Sequence, residues 1–126
     1  MGKGYLMDTN AVIDYLGDKL PPKGSSLMDK LPITISVVTR IEVLGWYGIN
    51  EDQLKRLTSF MNDAIIYPLE ETYVERTILL RQRNKIKLPD AAIAATALVE
   101  GLTLITRNMG DFSNISGLEI INPHDL

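Results

Sequence analysis

Four acidic residues lie where predicted strands of this chain give way to helices or loops: Asp8, Glu42, Asp90 and Asp111. Asp8 ends the first predicted strand, and Glu42 lies in the helix that follows the second. Asp90 opens an alanine-rich helix that leads to the fourth strand, and Asp111 follows that strand after a short loop. Because ligands of open α/β sheets bind outside the carboxyl ends of the strands, we expect these four carboxylates near one edge of the sheet.

Carboxylates gathered in a partly buried pocket repel one another, so their pKa values rise unless a cation compensates. Oxygen-only ligands favour hard cations, Mg²⁺ or Mn²⁺, over zinc. Such a cation can position and activate water and stabilise the charge of a phosphoryl transition state. Thr106 and Asn108 flank the site in sequence and are expected to orient ligands or phosphate oxygens by hydrogen bonds.

Each acid also has a purely structural interpretation. Asp8 and Asp90 can cap the helices that they precede, Glu42 can be a surface residue, and Asp111 can form a turn. The helical neighbours of Glu42 four residues to either side are Val38 and Trp46, an apolar setting that a solvated glutamate would more often lack. The functional prediction depends on the four acids sharing one edge.

The composition sets the class of protein. The chain has 126 residues, 45% of them hydrophobic and 23% charged, which is typical of a globular domain spanning 1–126. Cysteine is absent and His124 is the single histidine, so thiolate chemistry and multi-histidine metal sites are excluded. The formal charge of −3 gives no global basic field. No targeting signal or membrane-length apolar run is visible, so we expect a cytoplasmic protein.

Periodicity predicts an α/β fold. The expected strands cover residues 5–8, 33–36, 65–67, 103–106 and 119–121, and the expected helices cover 9–16, 37–47, 51–64, 70–85 and 90–100. Residues 17–26, rich in proline and glycine, are expected to form a loop, and Pro89 is expected to break the chain. Alternating strands and helices predict parallel pairing with right-handed crossovers.

Four segments together resemble the PIN-domain family, and specifically the stand-alone VapC-type toxin ribonucleases. They read MDTN at 7–10, SVVTRIEVL at 36–44, KLPDAAIAATA at 87–97 and TRNMGDF at 106–112. The third segment is quite specific, the fourth moderately so, and the first two are weak. All four occur in the family's order, and the resemblance spans nearly the whole chain.

The resemblance implies a three-layer α/β/α sandwich around a mostly parallel sheet. It also implies Mg²⁺- or Mn²⁺-dependent cleavage of RNA phosphodiester bonds, with Asp8, Glu42, Asp90 and Asp111 as the acidic residues. Thr106 and Asn108 match polar residues of the family's last motif. Toxins of this kind usually form homodimers and are inhibited by a small antitoxin, which supplies the DNA-binding part of the complex, so contact with DNA is expected to be indirect.

A basic segment between 76 and 87 runs directly into Asp90 and suits a polyanion whose phosphate must reach the metal. Its candidate RNA contacts are Arg81, Arg83, Lys85 and Lys87 as a group, although for each one alone a solvated helix face is the favoured interpretation. The partner surface is less defined. Apolar residues at 46, 47, 54, 57, 60 and 61 can be core or an antitoxin groove, and core is the expectation for most of them.

Alternative functions remain. A PIN-type ribonuclease of RNA maturation, or a non-catalytic binding module on the same fold, fits the same residues. A receiver-type signalling domain requires a lysine after the last strands, and the sequence has none after Lys87. A haloacid-dehalogenase-like phosphatase requires two aspartates two residues apart after the first strand, where this chain has Asp8 and Asn10.

Overall fold

The computed structural model describes residues 4–126. Within that range the chain alternates short strands with helices. The strands are β1 Tyr5–Met7, β2 Thr34–Ser36, β3 Ile65–Tyr67, β4 Thr103–Ile105 and β5 Ile120–Ile121. The helices are α1 Thr9–Leu16, α2 Pro22–Lys30, α3 Val37–Leu44, α4 Glu51–Asn62, α5 Glu71–Arg83, α6 Leu88–Glu100 and α7 Met109–Phe112.

All the strand ladders are parallel, as predicted. Hydrogen bonds join β1, β4 and β5 into one sheet, with β4 in the middle, and join β2 to β3 in a second. Strands β1 and β2 lie against each other, which gives the spatial order β3-β2-β1-β4-β5. The carboxyl ends of the strands therefore share one edge.

The sheet separates two hydrophobic cores. Successive side chains of a strand point to opposite faces, so the paired residues Leu6 and Leu104 belong to one core, while the next pair, Met7 and Ile105, belongs to the other. The first core is closed by α5 and α6 and the second by α1, α3 and α4, together with part of α2. This arrangement confirms the expected three-layer α/β/α sandwich.

Helix α6 is the most deeply buried helix of the described chain. Seven consecutive residues, 91–97, are buried, and the small alanine side chains let α5 and the sheet approach closely. The helix ends at Gly101, whose φ of 68° is a left-handed conformation that glycine adopts without strain.

Two local predictions were wrong, and one short helix was not predicted. Residues 22–30 form helix α2, because proline at the first helical position has a compatible φ and a backbone nitrogen that needs no helical partner. Pro89 does not break the chain, since it lies in the first turn of α6, which begins at Leu88. The short helix that was not predicted is α7, which contains Asp111.

Helix α3 ends earlier than predicted, at Leu44. Gly45 closes it with its backbone N–H on the carbonyl of Ile41, and a Cβ at position 45 would lie 2.6 Å from that carbonyl oxygen. Trp46 and Tyr47 therefore follow the helix as exposed residues. Among residues 4–126, every helix is too short or too polar to cross a lipid bilayer.

Candidate active site

Asp8 is the most buried acid of the four and sits directly after β1, as the N-cap of α1. Its backbone N–H continues the β1–β4 ladder by donating to the Ile105 carbonyl at 2.9 Å. Its Oδ1 accepts from the backbone N–H of Thr9 at 2.8 Å, so the capping interpretation is correct. The side chain is only 3% exposed, and its other oxygen remains available for the hydrogen bonds described next.

Two further donors hold Oδ2 of Asp8. The hydroxyl of Thr106 donates to it at 2.8 Å, and Nδ2 of Asn10 donates to it at 3.0 Å. Burial raises the pKa of Asp8 above its ordinary value, and the negative charge of Glu42 adds to this rise, while the hydrogen bonds from Thr106, Thr9 and Asn10 oppose it. Asp8 is thus fixed in orientation by Thr106, which follows β4, and by Thr9 and Asn10 of α1.

Glu42 reaches the same edge from α3. Its carboxylate accepts a hydrogen bond of 2.6 Å from the hydroxyl of Thr9, the residue after Asp8. That hydroxyl also lies 3.0 Å from the hydroxyl of Thr39, one turn before Glu42 on α3. The structure therefore joins the first and second acidic motifs through Thr9, although Glu42 itself is exposed.

Asp90 occupies the third position of α6 and is partly buried. Burial raises its pKa to about 6, and the negative charges of Asp8, Asp111 and Glu42, in that order, each contribute to the rise, opposed by Lys87. Electrostatic interaction of this kind falls off with distance and with solvent screening. The other three predicted acids therefore lie near enough to Asp90 for their charges to act on it, and we call this region the acidic pocket.

Asp111 lies on the exposed side of this pocket. Nδ2 of Asn108 donates to its Oδ2 at 2.6 Å, and the backbone N–H of Asn108 donates to the hydroxyl oxygen of Thr106 at 3.0 Å. Thr106 thereby accepts from the loop that holds Asp111 while donating to Asp8. The two polar residues predicted to flank the site each orient one of its acids.

The carboxylates do not form a ready coordination cage. Among residues 4–126, no three Asp, Glu or His side chains lie together closely enough to hold a metal ion as they stand. The donor set is nevertheless all oxygen, as Mg²⁺ and Mn²⁺ prefer. Burial and, after it, the charges of Asp8, Asp111 and Glu42 raise the pKa of Asp90, and a divalent cation would offset the part that comes from those charges. By donor type, Asp8, Glu42, Asp90 and Asp111 fit such a cation.

The basic segment lies beside this pocket. Arg81 and Arg83 form the last turn of α5, Lys85 lies in the connection to α6, and Lys87 is the N-cap residue of α6. All four are exposed. Lys87 is close enough to Asp90 for its positive charge to lower the pKa of that carboxyl, so the segment and the acidic pocket adjoin at Lys87.

Three functional side chains were missed by sequence reasoning. No contact is predicted for Thr9 or Asn10, yet they donate hydrogen bonds to Glu42 and Asp8. Asp14, buried in α1, is paired with Arg107 and His124. A charged residue on the buried, apolar side of a short helix is a signal that could have identified Asp14 from the helical pattern.

A groove of about 740 Å³ opens beside Glu42 between α1, α3 and α4. Its lining includes Ile13, Trp46, Leu57 and Phe60. Ile13 and Trp46 are 47% and 57% exposed, while Leu57 and Phe60 are partly buried against the core. Most of the apolar residues at 46, 47, 54, 57, 60 and 61 were expected to be core, but only Met61 is buried. Leu57 and Phe60 are partly buried, and the other three are exposed.

Comparison with known proteins gives consistent results. The PIN domain family model matches residues 5–118. Ribonuclease VapC1 of Rickettsia felis is 29% identical over 127 residues, which cover 94% of this chain and 95% of that protein. Ribonuclease VapC of Rickettsia bellii is 28% identical over 131 residues, with the same coverage.

Two solved structures extend the comparison. A chain in a toxin–antitoxin complex from Klebsiella pneumoniae is 33% identical with a TM-score of 0.79, covering 98% of this chain and 100% of that one. A chain of DNA-bound VapBC from Salmonella typhimurium has a TM-score of 0.82 over 97% of this chain and 99% of that one. At 19% identity, this second match shows the fold alone.

Proposed function

The chain belongs to the PIN-domain family, and from this premise we propose that it is a divalent-metal-dependent endoribonuclease that acts as the toxin of a toxin–antitoxin pair. Relatives named Ribonuclease VapC support the ribonuclease activity. The similar chain in a Klebsiella pneumoniae toxin–antitoxin complex supports the biological role.

One observation carries the proposal: the pKa of Asp90 is raised to about 6 by burial and by Asp8, Asp111 and Glu42. Three acids from distant parts of the chain act on a fourth at the carboxyl edge of the sheet. A purely structural set of helix caps would not need to lie near enough to repel one another. Stored electrostatic repulsion of this kind is typical of sites that bind a cation.

The proposed metal ligands differ in burial and in the number of hydrogen bonds that hold them. Asp8 is held by three donors and would present its carboxylate in one orientation. Asp90, Glu42 and Asp111 are less buried and would complete the set of oxygen ligands, with Glu42 held by Thr9 and Asp111 by Asn108. A bound Mg²⁺ or Mn²⁺ supplies an activated water and neutralises charge on the scissile phosphate.

The remaining polar residues orient the acids or are proposed to position the RNA. Thr106 and Asn10 hold Asp8, Asn108 holds Asp111, and Thr9 holds Glu42. Arg81, Arg83, Lys85 and Lys87 extend from the pocket as an exposed basic segment and are proposed to contact the RNA backbone. The scissile phosphate would enter past Lys87, where the segment meets Asp90.

We assign the groove beside Glu42 to the antitoxin. It is lined by exposed apolar side chains of α1 and by Trp46, and Glu42 lies at its border with the acidic pocket. A basic antitoxin residue entering from the groove would pair with the acids and compete with the metal. The proposal also includes a homodimeric toxin, a cytoplasmic location and contact with DNA only through the antitoxin.

The test is cleavage of a single-stranded RNA by purified protein with Mg²⁺, Mn²⁺ or EDTA. The variants are Asp8→Asn and Asp90→Asn, with Asp63→Asn as a matched control at the opposite end of the sheet, before β3. We expect cleavage by wild type and control, abolished by EDTA, and at least a hundredfold loss in the two site variants. Equal cleavage by all four proteins would reject the proposal.

A second experiment concerns the biological role. Expression of the wild-type chain is expected to arrest growth, and co-expression of the neighbouring open reading frame is expected to relieve the arrest. Metal-dependent cleavage without growth arrest would indicate a ribonuclease of RNA maturation.

A further inference from the structure

Asp14 is a buried carboxylate behind the acidic pocket, and the proposed reaction makes no direct use of it. Its side chain is 2% exposed, although it belongs to the same short helix as Thr9 and Asn10. A buried carboxylate is strongly unfavourable unless it is paired and hydrogen-bonded. The two partners of Asp14 therefore indicate what the residue does.

The first partner is Arg107, which lies in the loop between β4 and α7. Its Nη1 donates to both carboxylate oxygens of Asp14, each at 2.9 Å. The Arg107 side chain is 54% exposed, so the ion pair joins a buried carboxylate to a partly exposed arginine. An ion pair anchored in this way restrains the loop 106–108 against helix α1.

Arg107 is also restrained through its backbone. Its backbone N–H donates to Oδ1 of Asn10 at 3.2 Å, and Nδ2 of the same Asn10 donates to Oδ2 of Asp8 at 3.0 Å. The amide of Asn10 can donate toward Asp8 only while its oxygen faces Arg107. A continuous set of contacts thus leads from Asp14 through Arg107 and Asn10 to the most buried acid of the site.

The residues on either side of Arg107 in the sequence hold two of the site acids. Thr106 donates to Asp8, and Asn108 donates to Asp111. A displacement of the loop would therefore disturb the orientation of two carboxylates at once.

We propose that Asp14 is a positioning residue, whose ion pair with Arg107 holds the loop 106–108 where Asn10, Thr106 and Asn108 orient the site carboxylates. Its effect on cleavage rests on the proposed function, whereas its effect on Asn10 does not. Direct binding of RNA by Arg107 is disfavoured, because Asp14 already neutralises the guanidinium charge.

The second partner of Asp14 offers a matched control. Nε2 of His124 lies 2.9 Å from Oδ2 of Asp14, and the residue belongs to the C-terminal segment after β5. It makes no contact with the loop 106–108 in the described hydrogen bonds of residues 4–126. His124→Gln therefore removes one partner of Asp14 and leaves the connection to the loop in place.

The kinetic test compares Asp14→Asn, Arg107→Met and Arg107→Lys with His124→Gln, using a labelled RNA and Mn²⁺. Loss of a residue that supports metal ligands typically lowers activity roughly 10- to 100-fold, so we expect such a fall in kcat for Asp14→Asn and Arg107→Met, with KM unchanged. Arg107→Lys should stay within a few-fold of wild type, because a single nitrogen makes both contacts. His124→Gln should remain near wild type.

A second readout is independent of activity. The side-chain amide signals of Asn10, assigned by their disappearance in Asn10→Ala, are expected to exchange with solvent at least tenfold faster in Asp14→Asn and Arg107→Met than in wild type. If Asp14→Asn does not fold, Arg107→Met carries the test, since its altered side chain is half exposed.

Two outcomes would overturn the inference. Unchanged exchange of the Asn10 amide in Arg107→Met would show that the ion pair does not restrain the loop. A rise in KM at constant kcat would show that Arg107 binds RNA directly. An inactive wild type with the expected exchange behaviour would reject the proposed function and leave the restraint by Asp14 supported.

Discussion

The hydroxyl of Thr106 donates a 2.8 Å hydrogen bond to Oδ2 of Asp8, joining the ends of two adjacent parallel strands across 98 positions of sequence. Both side chains are buried, Thr106 completely. The bond places a charged acceptor and its donor in a setting of reduced screening, where charge-assisted hydrogen bonds are strong.

Thr106→Val tests this bond, because valine keeps the shape and removes the donor. We expect the free energy of unfolding to fall by about 1.5–3 kcal/mol, the usual contribution of a hydrogen bond to a charged group. Cleavage should fall as well, since Asp8 loses a restraint. Urea unfolding and RNA cleavage are the measurements.

The matched control is Thr96→Val. Thr96 is equally buried, but its hydroxyl donates to the Ala92 carbonyl of its own helix. A smaller destabilisation and unchanged cleavage are expected. Similar losses of stability and of cleavage in both variants would mean that the Thr106 hydrogen bond makes no specific contribution to the site.

Asp90→Asn should stabilise the metal-free protein in a pH-dependent manner. The pKa of Asp90 is about 6 in the folded chain and 3.8 ordinarily, so the folded state binds this proton more tightly. The unfavourable effect of the charge is therefore fully present above pH 6 and is relieved as the pH falls toward 4.

We expect Asp90→Asn to be more stable than wild type by on the order of 1 kcal/mol at pH 7.5, after allowance for solvent screening. The difference should shrink toward zero near pH 4. Urea unfolding in EDTA at the two pH values measures it, with Asp63→Asn as the control for loss of one distant charge. A difference that is the same at both pH values would contradict the assigned cause.

Metal binding should raise thermal stability. At a free Mn²⁺ concentration ten times Kd, the gain is about 1.4 kcal/mol, which corresponds to roughly 3–6 °C in Tm for a domain of this size. Asp8→Asn should abolish most of the shift, and the shift should shrink at pH 5.5, where protons compete for Asp90. Calorimetry with and without EDTA makes the comparison.

Charge reversal in the basic segment should weaken RNA binding. Arg81→Glu combined with Arg83→Glu is expected to raise KM at least tenfold. It should also reduce the slope of log K against log salt by about 1.4, the value for two lost phosphate contacts on a single strand. The control is Lys23→Glu with Lys30→Glu on α2. An unchanged salt dependence would exclude the segment as the RNA contact.

Trp46→Ala should weaken antitoxin binding by about 100-fold or more if the groove is the docking site, since buried aromatic anchors dominate such interfaces. The control is Tyr47→Ala, because Tyr47 is 98% exposed and does not line the groove. Isothermal titration with the purified antitoxin distinguishes them. Equal affinity of both variants would place the antitoxin elsewhere.

Most of the fold was predictable because its signals are local. The strand before Asp8 and the alanine-rich helix after Pro89 follow from hydrophobic periodicity, and the structure shows both within a few residues of the predicted bounds. Helix α2 was missed because proline and glycine favour loops on average, while here Pro22 begins a helix and Gly24 allows close packing against Pro123.

The sequence by itself determined that acids follow the carboxyl ends of parallel strands, because strand and helix periods place Asp8 and Asp90 at element boundaries whatever surrounds them. Only the tertiary structure decided which side chains hold those acids and that Asp14 is buried between Arg107 and His124. The reason is physical: these contacts join residues about a hundred positions apart, and a hydrogen bond needs donor and acceptor aligned within about 3 Å. No local pattern encodes an alignment that exists only after the strands have paired.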